Sequence, residues 1–227
     1  MNGFPPQHAP DWRAPRSLST EDLDFGGARH RLRGWLLFVL EGFGRFDPEP
    51  VPHERLHLLL YFAAVLAPVY RLETPVIKIL KHRPLPFYPE AQFTLECLAV
   101  SGHVANGGRS GIRDDGWSSD AYRILPAGVE TARLLAVSAW GRRVRNFAHD
   151  LVQGFLRLDP DSAIRVADED AFYRHGRMET DDVKAVTAMN DAVRAAEWVA
   201  DDGDEGPANE RDKVFMYLAY LQARMAA

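Results

Sequence analysis

Residues 106–121 constrain this chain more than any other stretch. From Asn106 to Ser119 they are rich in glycine, serine and aspartate and carry no core pattern. Strand-like segments flank them: His103-Val104-Ala105 before, and Tyr122-Arg123-Ile124-Leu125 after, the second with alternating character. Two short strands around a sixteen-residue loop read as a hairpin with a long tip. The other segments carry helical spacing, so the hairpin is a small β element in a mainly α chain.

Proline and glycine mark off the helices before the hairpin. A first is predicted over Ala28–Glu41, broken by Gly42, Gly44 and Asp47-Pro48-Glu49-Pro50. A second starts after Pro52 and sends Leu56, Leu59, Leu60, Ala63 and Leu66 toward a core, until Pro68 ends it. It contains the longest apolar run, Leu58–Ala67, ten residues. A membrane-spanning helix needs roughly 20, so the run reads as a helix buried on all sides. A third, short helix is expected after Thr74 as N-cap and Pro75, stopping at His82-Arg83-Pro84. A fourth starts near Pro89, with Phe93, Leu95, Leu98 and Ala99 as its apolar set, and closes at Ser101-Gly102.

Beyond the hairpin, Pro126-Ala127-Gly128 opens a long helix, 127–158. Its stripe is Trp140, Val144, Phe147, Leu151, Phe155 and Leu158, and Asp159-Pro160 ends it. Two further stripes follow: Val186, Met189, Val193 and Ala196, then Val214, Tyr217, Leu218, Leu221 and Met225. The acidic linker Asp201–Pro207 separates them. The expected fold is mainly α with a small two-stranded wing: a winged helix-turn-helix plus a C-terminal helical part. Its divisions are a proline-rich arm over 1–25 (Pro5, Pro6, Pro10, Pro15), the winged domain over 26–135, and an acidic helical extension over 136–227.

Composition narrows the classes. With 46% apolar and 26% charged residues, the chain as a whole is globular rather than disordered. A single cysteine, Cys97, excludes an internal disulfide and a zinc site built of several thiolates. The N-terminus has no basic start leading into an apolar run, so a soluble, cytoplasmic protein is expected. The net charge is -5, which argues against coating nucleic acid by charge alone. It is unevenly spread: residues 1–160 carry a balance of +2 and residues 161–227 one of -7.

Three stretches resemble bacterial YwgA-like and Panacea-type winged-helix proteins, and the middle components of three-component ABC-ATPase defence systems. His57-Leu58-Leu59-Leu60-Tyr61-Phe62 is similar to their opening LxKLLYF helix. Pro86-Phe87-Tyr88-Pro89-Glu90, with Leu95-Glu96-Cys97-Leu98 and Ser101-Gly102-His103-Val104, is similar to their GPYSxEL…LxxLGLI helix and strand. Tyr122-Arg123-Ile124-Leu125-Pro126-Ala127-Gly128 is similar to their YxLTxxG strand and helix start. The resemblance spans residues 53–135. Two departures stand out: the opening helix lacks the lysine, and Pro86-Phe87 replaces Gly-Pro. The resemblance implies an adaptor whose partners are other protein subunits, such as an ABC-type ATPase or an effector.

The candidate DNA- or partner-binding cations are Lys78, Lys81 and Arg83, next to His82, then Arg109 and Arg113 in the wing, and Arg142, Arg143 and Arg145 on the long helix. Arg29, Arg31 and Arg33 form a further basic cluster. Arginine suits planar contacts with phosphate or carboxylate. Against double-stranded DNA stands the helix that would read it. Pro89–Val100 has Glu90, Gln92 and Glu96 but no lysine or arginine, whereas base readers carry Arg, Lys, Asn or Gln. Asp114, Asp115 and Asp120 offset the wing arginines. Protein contact is therefore the first reading and a DNA-binding regulator the second.

A third reading is a zinc metallohydrolase. His53-Glu54-Arg55-Leu56-His57 matches H-E-x-x-H, which on a helix sets two imidazoles one turn apart with Glu54 as base. Pro52 sits directly before it, Arg55 adds a cation, and nothing singles out a third ligand such as Glu73. The alternative is a surface His53 and a core-bordering His57. Gly107-Gly108-Arg109-Ser110-Gly111 lacks the Lys-Ser/Thr of a phosphate loop. Cys97 among Leu95, Leu98 and Ala99 reads as a buried small hydrophobe. Asp168-Glu169-Asp170, with Asp181-Asp182, lacks the central glycine of a calcium loop and reads as a solvated helix entry. No catalytic residue and no cofactor is expected.

Overall fold

The computed structural model describes residues 20–74, 78–82, 85–107, 120–159, 163, 165–170, 173, 183–185, 190–201 and 208–226. Among them it holds seven α-helices and two small antiparallel sheets. No helix among the described residues is long and apolar enough to cross a membrane.

Helix α1, Thr20–Phe46, runs straight through Gly42 and Gly44. The predicted break fails because tertiary packing outweighs propensity. At Gly42 the chain comes so close to a later helix that an added Cβ would lie 3.2 Å from both His149 and Val152. Trp35–Leu40 are all buried, so the middle of α1 is covered on every side. Strand β1, Val51–Pro52, leads into α2, His53–Leu66, in which Arg55 alone is not buried. The all-round burial expected of the apolar run is present. A 3-10 turn, Ala67–Tyr70, ends at Arg71 in the left-handed conformation, φ 53°.

The short helix expected after Thr74 does not form. Lys78–His82 is strand β2, paired antiparallel with β3, Leu85–Phe87, on one side. Lys78–His82 is too short to carry a helical stripe, and Pro84 and Pro86 oppose a helix. Pro86 is tolerated because β3 lies at the sheet's edge. Helix α3, Pro89–Val100, has the bounds its sequence suggests. Gly102, φ +72°, takes the left-handed turn after it, which a side chain would strain.

Strands β4, Val104–Asn106, and β5, Ala121–Ile124, pair antiparallel, with Val104 opposite Ile124. β1 joins the other side of β5, Val51 opposite Tyr122. The hairpin is therefore part of a three-stranded sheet, β1-β5-β4, and not the two-stranded element expected. Two residues ending in proline leave too little alternation to mark β1 in the sequence. The His53 N–H extends the pairing by donating to the Asp120 carbonyl at 3.0 Å.

The predicted long helix is two helices, α4, Pro126–Leu135, and α5, Ala139–Phe155. Ser138 divides them: its Oγ accepts the Gly141 N–H at 2.9 Å and so caps α5. The stripe of Val144, Phe147, Leu151 and Phe155 is buried as spaced. After a 3-10 turn, Val166–Glu169, strand β6, Val183–Ala185, completes the second sheet in the order β3-β2-β6. The C-terminal part was expected to be helical throughout, so β6 is a correction. Its partner β2 lies a hundred residues upstream, outside any local pattern. Helices α6, Asp191–Asp201, and α7, Glu210–Ala226, follow. Val214, Tyr217, Leu218 and Leu221 of α7 are buried. Val186 and Met189 of the other stripe lie outside the described residues.

Candidate interaction surface

Helix α3 has two unlike faces. Ala91, Thr94, Leu95 and Leu98 point inward. Thr94 satisfies its hydroxyl within the helix by donating to the Glu90 carbonyl at 2.7 Å. Pro89, Glu90, Phe93, Glu96 and Val100 are exposed. Phe93 is 57% exposed and Val100 92%. Placing Phe93 in the core was wrong, since helical spacing puts it on the side of Val100, away from Leu95 and Leu98. Cys97 is half-buried between the faces rather than in the core. Gln92 fixes the helix against β5: its amide donates to the Tyr122 hydroxyl and to Glu96, each at 3.0 Å.

Beneath this helix lies the histidine pair. His53 and His57 are both buried, with ring centroids 4.4 Å apart, so the surface placement of His53 was wrong. His53 starts α2 directly after β1, and its ring lies against His57 and, at 6.0 Å, Phe87 of β3. His57 stacks on Phe87 at 4.8 Å, and its Nδ1 accepts the Tyr88 N–H at 3.1 Å. That bond assigns the ring proton to Nε2. Burial pushes both imidazoles below the ordinary histidine range; for His57 the neighbouring His53 adds to this, and the Gln92 amide opposes it in both. Two neutral rings in an aromatic stack join α2 to β3 and to Tyr88, the residue before α3. Among the described residues, no three His, Cys, Asp or Glu side chains are grouped to hold a metal. Glu73, considered as a third ligand, pairs instead with Arg31 of α1 at 3.1 Å.

The structure describes only part of the candidate cation set. Arg83, Arg109 and Arg113 lie outside the described residues. Lys78 and Lys81 sit on β2, not on a helix. The cluster at 142–145 is divided among internal tasks. Arg142 donates to the Val137 carbonyl at 2.8 Å and Arg143 to the carbonyls of Tyr70 and Arg71 at 2.7 and 3.0 Å. Arg145 forms a two-pronged contact with Glu41 of α1, at 2.8 and 2.5 Å, and His149 approaches the same carboxylate at 3.3 Å.

Burial alone would raise the Glu41 carboxyl. Hydrogen bonds from His149 and Arg145 outweigh it and hold the value at about 2. The folded value lies below the ordinary glutamate value. Its contribution to stability is therefore fully present above the unfolded value and lost as pH falls through the folded one. Urea denaturation of wild type and Glu41→Gln from about pH 6 to about pH 2 should show their difference shrinking as acid is added. A constant gap would place the effect elsewhere.

One functional-looking group escaped the sequence reading. Asp170 closes the 3-10 turn and is fully buried, not solvated. Its Oδ1 accepts the Tyr61 hydroxyl of α2 and the Tyr173 N–H, the latter at 2.9 Å; its Oδ2 accepts the Tyr217 hydroxyl of α7 at 2.5 Å. Burial, with the carboxylate alongside, pushes both hydroxyls above the ordinary tyrosine range, so they remain donors. The available signal was tyrosine within two apolar stripes, since a buried hydroxyl needs a partner.

Compared with models of known protein families, the chain matches none, and it shows no significant similarity to any curated protein.

Proposed function

We propose that this chain is a non-catalytic winged-helix adaptor, joining larger protein subunits through the outward face of α3. The order α1-β1-α2-β2-β3-α3-β4-β5, in which β1 joins the β4-β5 hairpin, supports the winged-helix reading through that hairpin and the helix before it, while β2 and β3 stand where its middle helix was expected. One observation carries the choice of partner: the exposed side of α3 holds Glu90, Phe93, Glu96 and Val100, and the helix has no lysine or arginine. Carboxylates oppose a phosphate backbone, and base edges are read mainly by Arg, Lys, Asn and Gln. An aromatic anchor beside an aliphatic one suits a protein interface. The sequence resemblance supplies the setting, a bacterial defence assembly with an ABC-type ATPase or an effector as partner.

Co-expression with the products of adjacent genes tests this. A stable complex is expected to co-purify and to be lost in Phe93→Glu, with circular dichroism unchanged. Fluorescence titration on random duplex and on the operon's own promoter, at low salt, is expected to show no binding at micromolar protein. Duplex binding, or a complex indifferent to Phe93→Glu, overturns the reading.

A further inference from the structure

Helix α4 has an outward face of a different kind. Its Gly128 and Ala132 are buried, and Gly128 lies so close to the hairpin that an added Cβ would stand 2.3 Å from the His103 carbonyl oxygen. The other side carries Val129, Glu130, Arg133 and Leu134, continued by Val137 in the following turn. Val129, Leu134 and Val137 are 41%, 56% and 68% exposed. Between them Arg133 forks onto Glu130, at 2.8 and 2.7 Å. This face is apolar at its edges, neutral overall, and has one acid N-terminal to one base.

That order is self-complementary. Two such helices lying antiparallel about a two-fold axis near Thr131 and Ala132 bring Glu130 level with the partner subunit's Arg133, and Arg133 with the partner subunit's Glu130. Pro126 and Val137 are likewise brought level with one another across the axis. Two-fold contacts are isologous, so each copy supplies both halves of every pair. A parallel arrangement would set like charges against each other. We propose that the outward face of α4 is the contact between two copies of this chain. A single short helix per copy gives a small interface, so a dissociation constant of about 10–100 µM is expected. The contact is independent of what α3 binds.

Sedimentation velocity of the full chain over a concentration series tests this. Wild type is expected to shift from monomer to dimer. Glu130→Arg places like charges together twice, by symmetry, and is expected to weaken the dimer about tenfold. The swapped double variant, Glu130→Arg with Arg133→Glu, restores opposite charges across the axis and is expected to recover the dimer. Leu134→Glu with Val137→Glu is expected to remain monomeric. All four positions are exposed, and circular dichroism checks that each variant is folded. A wild-type monomer at every concentration overturns the proposal. So does a dimer unaffected by Leu134→Glu with Val137→Glu, or a double charge swap that fails to restore what Glu130→Arg removed.

Discussion

Gly141→Ala is expected to destabilise the fold by about 3 kcal/mol, opposite in sign to its effect on an isolated helix. In a helix interior alanine is favoured over glycine by up to about 1 kcal/mol. Here the new Cβ would stand 2.0 Å from the Leu135 carbonyl oxygen and 2.6 Å from its carbonyl carbon. Both are backbone atoms, so relief requires moving the turn between α4 and α5. That turn also holds the Ser138 cap and the Arg142 bond to Val137, and both would shift with it. Gly27, in α1, is the internal control, because nothing lies within 4 Å of its added Cβ. Gly27→Ala is expected to be neutral or stabilising by up to about 1 kcal/mol. Equal effects of the two substitutions in urea denaturation would show that the close approach at Gly141 is not what holds the turn.

Asp170→Ala is expected to cost about 3–5 kcal/mol. The carboxylate satisfies two tyrosine hydroxyls and one backbone N–H away from water. Removing it leaves those donors buried without their acceptor, and a buried unsatisfied group costs about 1–3 kcal/mol. Tyr61→Phe and Tyr217→Phe remove only one donor each. Each is expected to cost about 1 kcal/mol, and the double variant to depart from additivity because both hydroxyls share one carboxylate. A double-mutant cycle by urea denaturation measures this. An Asp170→Ala variant as stable as wild type would show that the cluster does not join α2 to α7.

Short-range signals in the sequence carried the local elements. Pro89 and Gly102 bound α3, four-and-three spacing gave the buried side of α5, and the glycine-rich tip flanked by alternating residues gave β4 and β5. Longer-range features were hidden for identifiable reasons. β1 is two residues long, and only β5 makes it a strand. β2 follows an apparent helix start, with Thr74-Pro75 as cap, and Pro84 and Pro86 obscure its local partner β3. The break between α4 and α5 rests on one serine, just before the apolar stripe that starts at Trp140. For the candidate surface, the lack of cations on Pro89–Val100 was legible, and so was the outward side of Phe93, two helical turns before Val100, although Phe93 was grouped with Leu95 and Leu98. The arginines at 142–145 read as one patch, since adjacency in sequence says nothing of the three directions in which a helix sends them.

The distance between β2 and β6 orders events during synthesis. Once β2 has been made, the ribosome must add a hundred further residues before β6 exists. At typical rates of about 5–20 residues per second, that leaves one edge of β2 open for roughly 5–20 s. An open edge is a template for another strand, and neighbouring nascent chains on one messenger offer the same β2 sequence. Slower translation through residues 83–183 is therefore expected to lower the yield of folded protein.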